Sequence, residues 1–477
     1  MRASVSAAAA VLLAVLGVAC PEGRRAGPGP GEPELVAGNR LNVLLITIDT
    51  LRPDHMGVYG YGRDTTPRID GLARRGVVFD EAYTYWPKTR GSFVAIMTGR
   101  LAAQSGYRKS HPLLLDFNPT LASVLKQAGY DTVATVDNPN VAASLGYAKG
   151  FDRYRETWEE EALVTETDRA RAITEDGVRF LEAARPDRPF LLWLHYVNPH
   201  TPYTPPPPFD TAFLGDELPE APPLEPVDGF FGGVHRPWLV PGRPLGYYVA
   251  QYDGEIAAND AEVGRLLDAL EGSAVRERTL VVLTSDHGES LGEHDYFFDH
   301  GANLYDPGMR IPLIMAGPGI EAGRRSGVLA TTLDLVPTIL DAVKVSYPPG
   351  LSGESLLPAA RGEPGLDRER LFGQNDRNLL GSWGERFKIV ATPSEDEKAR
   401  YALYDRDADP GETRDVGGRM PRELAVERGR LEQFRKRMDA EDARTRRLLE
   451  GRSGEEALSP EACENLRALG YIQQACP

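Results

Sequence analysis

Cysteine is scarce in this sequence: Cys20, Cys463 and Cys476 are the only three in 477 residues. None has a neighbour at metal-site spacing, which excludes a thiolate-held ion. In an exported protein Cys463 and Cys476 can pair and staple the tail. A basic excess is lacking too. Lys and Arg number 54 against 70 Asp and Glu, a formal net charge of −16, and this argues against a general nucleic-acid binder. An anionic substrate stays open, because a local site can be positive on an acidic protein. Internal repeats are absent. The apolar stretch that ends at Ala19 is too short for a comfortable membrane span, and no other segment qualifies.

What is present is ordinary for a globular protein, with 41% hydrophobic and 26% charged residues. The length allows a substantial core and about two or three domains. Met1-Arg2, the Ala-rich apolar segment and the small residues before Cys20 read as a signal peptide over 1–19. Gly17-Val18-Ala19-Cys20 resembles a bacterial lipobox, with Gly17 where Leu is usual. Residues 20–38, rich in Gly and Pro, then read as a flexible tether. The expectation is an exported bacterial cell-envelope lipoprotein, anchored through Cys20 to a membrane at its periplasmic or outer surface. Ordinary secretion with a chance cysteine is the alternative. Cys20→Ser should move an anchored protein from the membrane fraction to the soluble one; unchanged detergent partitioning would end the lipoprotein reading.

Beyond the tether, buried-strand patterns alternate with amphipathic helices, the signature of an α/β sheet. Asn42-Val43-Leu44-Leu45-Ile46-Thr47-Ile48 is a continuous apolar run of the kind covered on both faces. Asp49 follows it, where open α/β sheets place ligands. Further such runs end at Val136, at Tyr196 (followed by Asn198-Pro199-His200-Thr201-Pro202) and at Leu283 (followed by Asp286-His287-Gly288-Glu289). Thr89 sits at the start of a helix over Ser92 to Met97, whose free N–H groups and dipole favour an anionic ester. Helices are expected over Pro119–Gly129, Thr165–Ala184 and Tyr252–Leu270, and Thr204–Leu245 reads as a Pro/Gly-rich rim or a surface insertion. The charged helix Arg422–Glu450 reads as a solvated face.

The opening Asn42–His55, the segment Thr89–Arg100, Pro199-His200-Thr201-Pro202-Tyr203, Asp286-His287-Gly288 and Arg310-Ile311-Pro312 resemble, in order, motifs of the sulfatase family within the alkaline-phosphatase-like superfamily. That resemblance implies an alkaline-phosphatase/sulfatase-like α/β sandwich with a mostly parallel central sheet. It places a catalytic domain at 39–365 and a smaller α+β C-terminal subdomain with a helical tail at 366–477, the segment Leu458–Ile472 included. It implies that Asp49, Thr89, Asp286 and His287 hold one divalent ion, Mn²⁺, Zn²⁺ or Ca²⁺. Thr89 is then the nucleophile, His200 binds the ester or assists its departing group, and His300 holds the ester oxygens. His294 reads as a supporting or surface residue. The ion would lower the pKa of the Thr89 hydroxyl and neutralise charge on the ester.

The sequence departs from the family pattern at three places, and the first two set the expected subtype. Sulfatases proper build formylglycine from Cys or Ser in a frame with Pro and Arg, whereas here the frame is Thr89-Arg90-Gly91-Ser92-Phe93. No formylglycine is therefore expected. The usual Asp-Asp pair is Asp49-Thr50, and the usual Gly-Lys after the second strand is Asp137-Asn138. A Thr nucleophile with a lone first carboxylate is similar to the phosphoglycerol and phosphoethanolamine transferases of the superfamily. The expected activity is hydrolysis or transfer of phosphate or phosphonate esters, small or on a glycan or lipid headgroup, through phospho-Thr89. The alternatives are an arylsulfatase-type sulfuric ester hydrolase and a non-catalytic anion-binding protein.

Overall fold

The computed structural model describes residues 40–108, 113–215, 239–240, 242–364, 366–394 and 399–450. Cys20, the leader and tether, Cys463, Cys476, the segment 458–472 and much of the expected rim lie outside the described residues.

The central sheet has eight strands. In chain order they are β1 (Asn42–Ile48), β2 (Gly76–Phe79), β3 (Asp131–Val136), β4 (Arg153–Glu156), β5 (Phe190–Tyr196), β6 (Thr279–Thr284), β7 (Leu313–Ala316) and β8 (Arg324–Ser326). Across the sheet they run β8-β2-β7-β6-β1-β5-β3-β4. Every pairing is parallel except the two made by β7, so β7 alone runs against the rest. The mostly parallel sheet is as the sequence implies.

The side-chain alternation of β1 explains why its whole run is apolar. Val43 and Leu45 face one layer with Phe93, Val94 and Ile96 of helix α1 (Thr89–Thr98), together with Leu121, Leu125 and Ile339. Leu44, Ile46 and Ile48 face the other, built from Ile173 and Leu181 of α2 (Glu166–Ala183) and Ile256, Val263 and Leu266 of α3 (Leu245–Gly272). Each such side chain taken from water contributes roughly 1.5–3 kcal/mol. A strand so enclosed has one tolerated register, and it fixes what emerges at its end.

Thr165 caps α2 through its hydroxyl, as its position before Glu166 suggests. Helix α3 begins at Leu245, seven residues before the Tyr252 expected from the sequence. The Tyr-Tyr-Val stretch 247–249 carries no polar alternation, and Tyr248 is buried with its hydroxyl on the backbone of Val240.

The second sheet is antiparallel, with β9 (Arg370–Gln374), β10 (Leu380–Gly384), β11 (Phe387–Thr392) and β12 (Arg400–Asp405) in sequence order. It is tied to the segment before β7 by Lys388, fully buried with Asp306 at 3.1 Å and in contact with Glu412. The C-terminal helix α4 (Pro421–Glu450) corrects the reading of a wholly solvated face. Glu427, Leu431, Phe434 and Met438 form a buried stripe at helical spacing, and Phe434 stacks on Phe372 at 4.2 Å.

Candidate active site

Sheet register assembles the site. Thr47 of β1 pairs with Thr284 of β6, so two residues further on Asp49 and Asp286 leave the sheet side by side. On the other flank Thr47 pairs with His195 of β5, and His195 with Val136 of β3. Asn138 and the His200 loop therefore emerge at the same carboxyl edge. The ligand atoms of Asp49, Asp286 and His287 all lie within 4.8 Å of one another, and the three side chains are fully buried.

The hydrogen-bond accounting there fits a cation. His287 Nδ1 is 2.9 Å from the Gly288 carbonyl, which can only accept, so Nδ1 carries the proton and Nε2 offers a lone pair. Nε2 lies 3.3 Å from Asp286 Oδ2 and 3.7 Å from Asp49 Oδ1. Those two carboxylate oxygens are buried with no hydrogen-bond partner. A cation among these three would satisfy them all, and their spacing is that of donors about one ion at roughly 2.0–2.2 Å. Burial and mutual repulsion push the Asp49 carboxyl well above the usual range, and burial carries Asp286 up to about 7. Burial and the neighbouring His300 hold His287 low, hence neutral and able to ligate. The donor set, two carboxylates and an imidazole, suits a divalent ion without choosing among Mn²⁺, Zn²⁺ and Ca²⁺.

Thr89 is the first residue of α1, three residues earlier than the helix start read from the sequence. Its Oγ1 stands 3.2 Å from His287 Nε2. The helix is clamped there by Ser92, whose hydroxyl donates to the Asp286 carbonyl at 2.7 Å. The two frame departures have packing reasons. A Cβ on Gly91 would come within 2.4 Å of the Trp86 ring, so no larger residue fits. Phe93 is fully buried, 5.3 Å from Trp193 and 4.8 Å from His195 between ring centroids, and serves the core rather than the site.

Thr50, in place of a second carboxylate, has φ 56°, unusual for a β-branched residue. Tyr252 holds it by donating to its carbonyl at 2.7 Å, which leaves the Thr50 N–H 3.4 Å from Asp286 Oδ1. Where the family's Lys is missing, Asn138 donates to Asp49 Oδ2 at 2.6 Å and Asp137 pairs with Arg169. Asn138 and the buried His195, whose pKa burial lowers to about 3, were not among the residues picked from the sequence. His195 carries no motif and Asn138 stands only where the family's Gly-Lys pair is usual, so the strand register is what brings them to the site.

His200 and His300 come together, with ring centroids 5.2 Å apart, and the His300 ring lies 4.2 Å from that of His287. All the residues picked from the sequence thus meet in one place. His294 does not join them; it stacks on Tyr305 at 3.6 Å. The loop bearing His200 is held from below by Glu255, which accepts from Asn198 Nδ2 at 2.5 Å and from the Thr204 N–H at 2.8 Å. Burial raises Glu255 to about 7. A carboxyl raised on folding contributes stability that is complete below its unfolded pKa and is lost as pH rises through the folded value. Thermal stability should therefore fall by roughly 1–3 kcal/mol between pH 5 and pH 8 from this group. Glu255→Gln should flatten that slope, and an unchanged slope in thermal melts would assign it elsewhere.

Known proteins bear this out at the level of family. The family model described as Sulfatase matches residues 41–345, and one described as N-sulphoglucosamine sulphohydrolase, C-terminal, matches 292–437. The chain belongs to the sulfatase family. Its members are ester hydrolases of the alkaline-phosphatase superfamily. A Delta 4,5-hexuronate-2-O-sulfatase of Bacteroides thetaiotaomicron is 25% identical over 429 residues, covering 80% of this chain and 85% of that one. The fold matches a protein solved in complex with its substrate D-glucosamine-2-N,6-O-disulfate, at a TM-score of 0.73 and 21% identity over 84% of this chain and 99% of that one. It also matches the phosphonate monoester hydrolase of Agrobacterium radiobacter, at 0.68 and 20% over 84% and 96%. Sulfatase-family enzymes bind a divalent metal, in keeping with the Asp49, Asp286 and His287 cluster.

Proposed function

We propose that this sulfatase-family hydrolase acts on phosphate or phosphonate esters through a phospho-Thr89 intermediate. The observation that carries the reading is a threonine hydroxyl, not a formylglycine precursor, at the head of α1, 3.2 Å from His287 Nε2. Asp49, Asp286, His287 and Thr89 would hold the divalent ion. When bound, the ion supplies Lewis-acid charge at the ester and lowers the pKa of the Thr89 hydroxyl. The rest belongs to the chain. Thr89 gives its hydroxyl proton to water, and Oγ1 attacks phosphorus as the bond to the departing oxygen breaks. His200 and His300 face the ester and assist that departure. Water or an alcohol then cleaves the Oγ–P bond and returns Thr89.

Lys88, half-buried beside Thr89 and close enough to lower the His287 pKa, supports the reading by adding positive charge that the missing second-signature Lys does not. A phosphonate monoester hydrolase among the structural neighbours is compatible with it. A second reading, sulfuric ester hydrolysis, is favoured by the sulfatase names of the relatives, arylsulfatase of Clostridium perfringens included. One experiment separates them. Purified protein loaded in turn with Mn²⁺, Zn²⁺ and Ca²⁺ is assayed on an aryl sulfate, a phosphate monoester, a phosphate diester and a phosphonate ester. Phosphorus esters should be turned over fastest; a leading aryl sulfate would establish the second reading.

A further inference from the structure

The kinds of donor at Asp49, Asp286 and His287 leave the ion open, but what stands behind each donor narrows it. Each side chain has one polar atom held by a neighbour and one left facing the others. Asp286 Oδ1 accepts from the His287 N–H at 2.9 Å, while Oδ2 is buried with no hydrogen-bond partner. His287 Nδ1 is bound to the Gly288 carbonyl, while Nε2 lies 3.3 Å from that free oxygen. Asp49 follows the same pattern. Its Oδ2 accepts from Asn138 Nδ2 at 2.6 Å, and its Oδ1 is buried without a partner.

The amide of Asn138 is itself held. The residue is 3% exposed and stands two positions beyond Val136, which pairs with His195 in the sheet. Its Oδ1 accepts from the Asn140 N–H at 2.8 Å and from Asn140 Nδ2 at 2.9 Å. Turning the amide over would set its NH2 against those two donors and its carbonyl oxygen against a carboxylate. The orientation is therefore fixed, with Nδ2 on Asp49 Oδ2. His195 Nε2, at 3.9 Å from the same oxygen, is too distant to share it. A carboxylate tied by one oxygen in this way presents the other alone.

We propose that Asn138 is a positioning residue that holds Asp49 to a single free oxygen and thereby selects Zn²⁺ over Mn²⁺ and Ca²⁺. This rests on reading Asp49, Thr89, Asp286 and His287 as the metal site, and not on which ester is attacked. With Asn138 in place the site offers Asp49 Oδ1, Asp286 Oδ2, His287 Nε2 and Thr89 Oγ1, one atom from each side chain. Zn²⁺ takes about four donors, nitrogen and oxygen mixed. Ca²⁺ takes roughly six to eight oxygens and often both oxygens of a carboxylate, which the Asn138 bond denies it. Mn²⁺ is best served by about six oxygen donors. Asparagine holds Oδ2 without carrying charge, so no fixed cation at this position competes with the ion.

Metal binding, measured without turnover, tests this. Metal-free protein prepared by chelation is titrated with Zn²⁺, Mn²⁺ and Ca²⁺ and, separately, with Co²⁺ as a visible probe. The wild type should bind Zn²⁺ most tightly. Its Co²⁺ form should show the intense visible bands of a four-donor site rather than the faint ones of a six-donor site. Asn138→Leu, of similar size but without the donor, should lower Zn²⁺ affinity about 10–100-fold. Its Ca²⁺ affinity should be unchanged or higher, because Asp49 can then close on that ion with both oxygens, and the Co²⁺ bands should weaken. The change in preference decides, since Zn²⁺ outbinds Ca²⁺ at many nitrogen-bearing sites. Equal losses for Zn²⁺ and Ca²⁺, an unchanged preference or an unchanged Co²⁺ spectrum would overturn the role of Asn138 and leave the metal site standing. A wild type that binds Mn²⁺ or Ca²⁺ most tightly would overturn the selection. If Asn138→Leu does not fold, Asn138→Ala carries the same comparison. A wild type that binds no ion would overturn the inference together with the metal site.

Discussion

Thr89→Ala should abolish turnover of phosphate esters, lowering kcat by about 10⁴-fold or more, with the divalent ion still bound. The argument starts from what each nucleophile can do after transfer. Formylglycine is hydrated to a geminal diol and expels sulfate by collapsing to the aldehyde, so its second hydroxyl does the work. Threonine has one hydroxyl. A sulfo-Thr would wait for water at sulfur, whereas a phospho-Thr is cleaved more readily by activated water. The position of Thr89 leaves it no other evident task, since its Oγ1 faces His287 Nε2 at 3.2 Å and the residue is buried at the tip of α1. Removing a covalent nucleophile removes its whole pathway and leaves only binding and electrostatic effects. Thr89→Ser should keep part of the activity, because the hydroxyl remains and only the methyl that fixes its rotamer goes. Trapping with a slow substrate and mapping the adduct by mass spectrometry should place phosphate on Thr89. An adduct elsewhere, or a Thr89→Ala enzyme with near wild-type rates, would overturn the assignment.

The site was legible in the sequence wherever chemistry sits directly after a buried strand. Asp49 and Asp286-His287 follow uninterrupted apolar runs, and the sheet register that joins them follows from burial on both faces. Thr89 and His200 were placed by motif resemblance, and strand order then explains why they meet. What was not legible is what depends on contacts distant in the chain. Asn138 takes its meaning from Asp49, 89 residues away, and Glu255 from the Asn198 loop, 57 residues away. The buried stripe of α4 was hidden by the charge around it. Three apolar positions, Leu431, Phe434 and Met438, among many Arg and Glu residues look solvated until Phe372 is seen stacked on Phe434. The start of α3 was missed because Tyr-rich residues carry weak helical preference, and packing around Tyr248 decided it.

Asp286→Asn and His287→Ala should each lose bound metal and activity together, and Asp286→Asn should do so while leaving the metal-free protein no less stable. Asp49 and Asp286 are buried, and burial raises both carboxyls, Asp286 to about 7, with the charge of Asp286 adding to the rise at Asp49. Without a cation that arrangement works against folding at neutral pH. The Asn side chain keeps the acceptor for the His287 N–H, now at 2.9 Å from Asp286, and removes one of the two charges. Its metal-free melting temperature at pH 8 should therefore equal or exceed that of the metal-free wild type. The sign of the pH dependence is fixed by the same shift. The contribution of Asp286 to metal-free stability is complete below its unfolded pKa near 3.8 and is lost as pH rises through about 7. Added metal must displace those protons, so its gain in melting temperature should be larger at pH 8 than at pH 5 in the wild type. In both variants that gain should vanish at either pH, and elemental analysis should find the ion depleted. Full occupancy in both, with the wild-type gain in melting temperature intact, would put the ion somewhere other than between Asp49, Asp286 and His287.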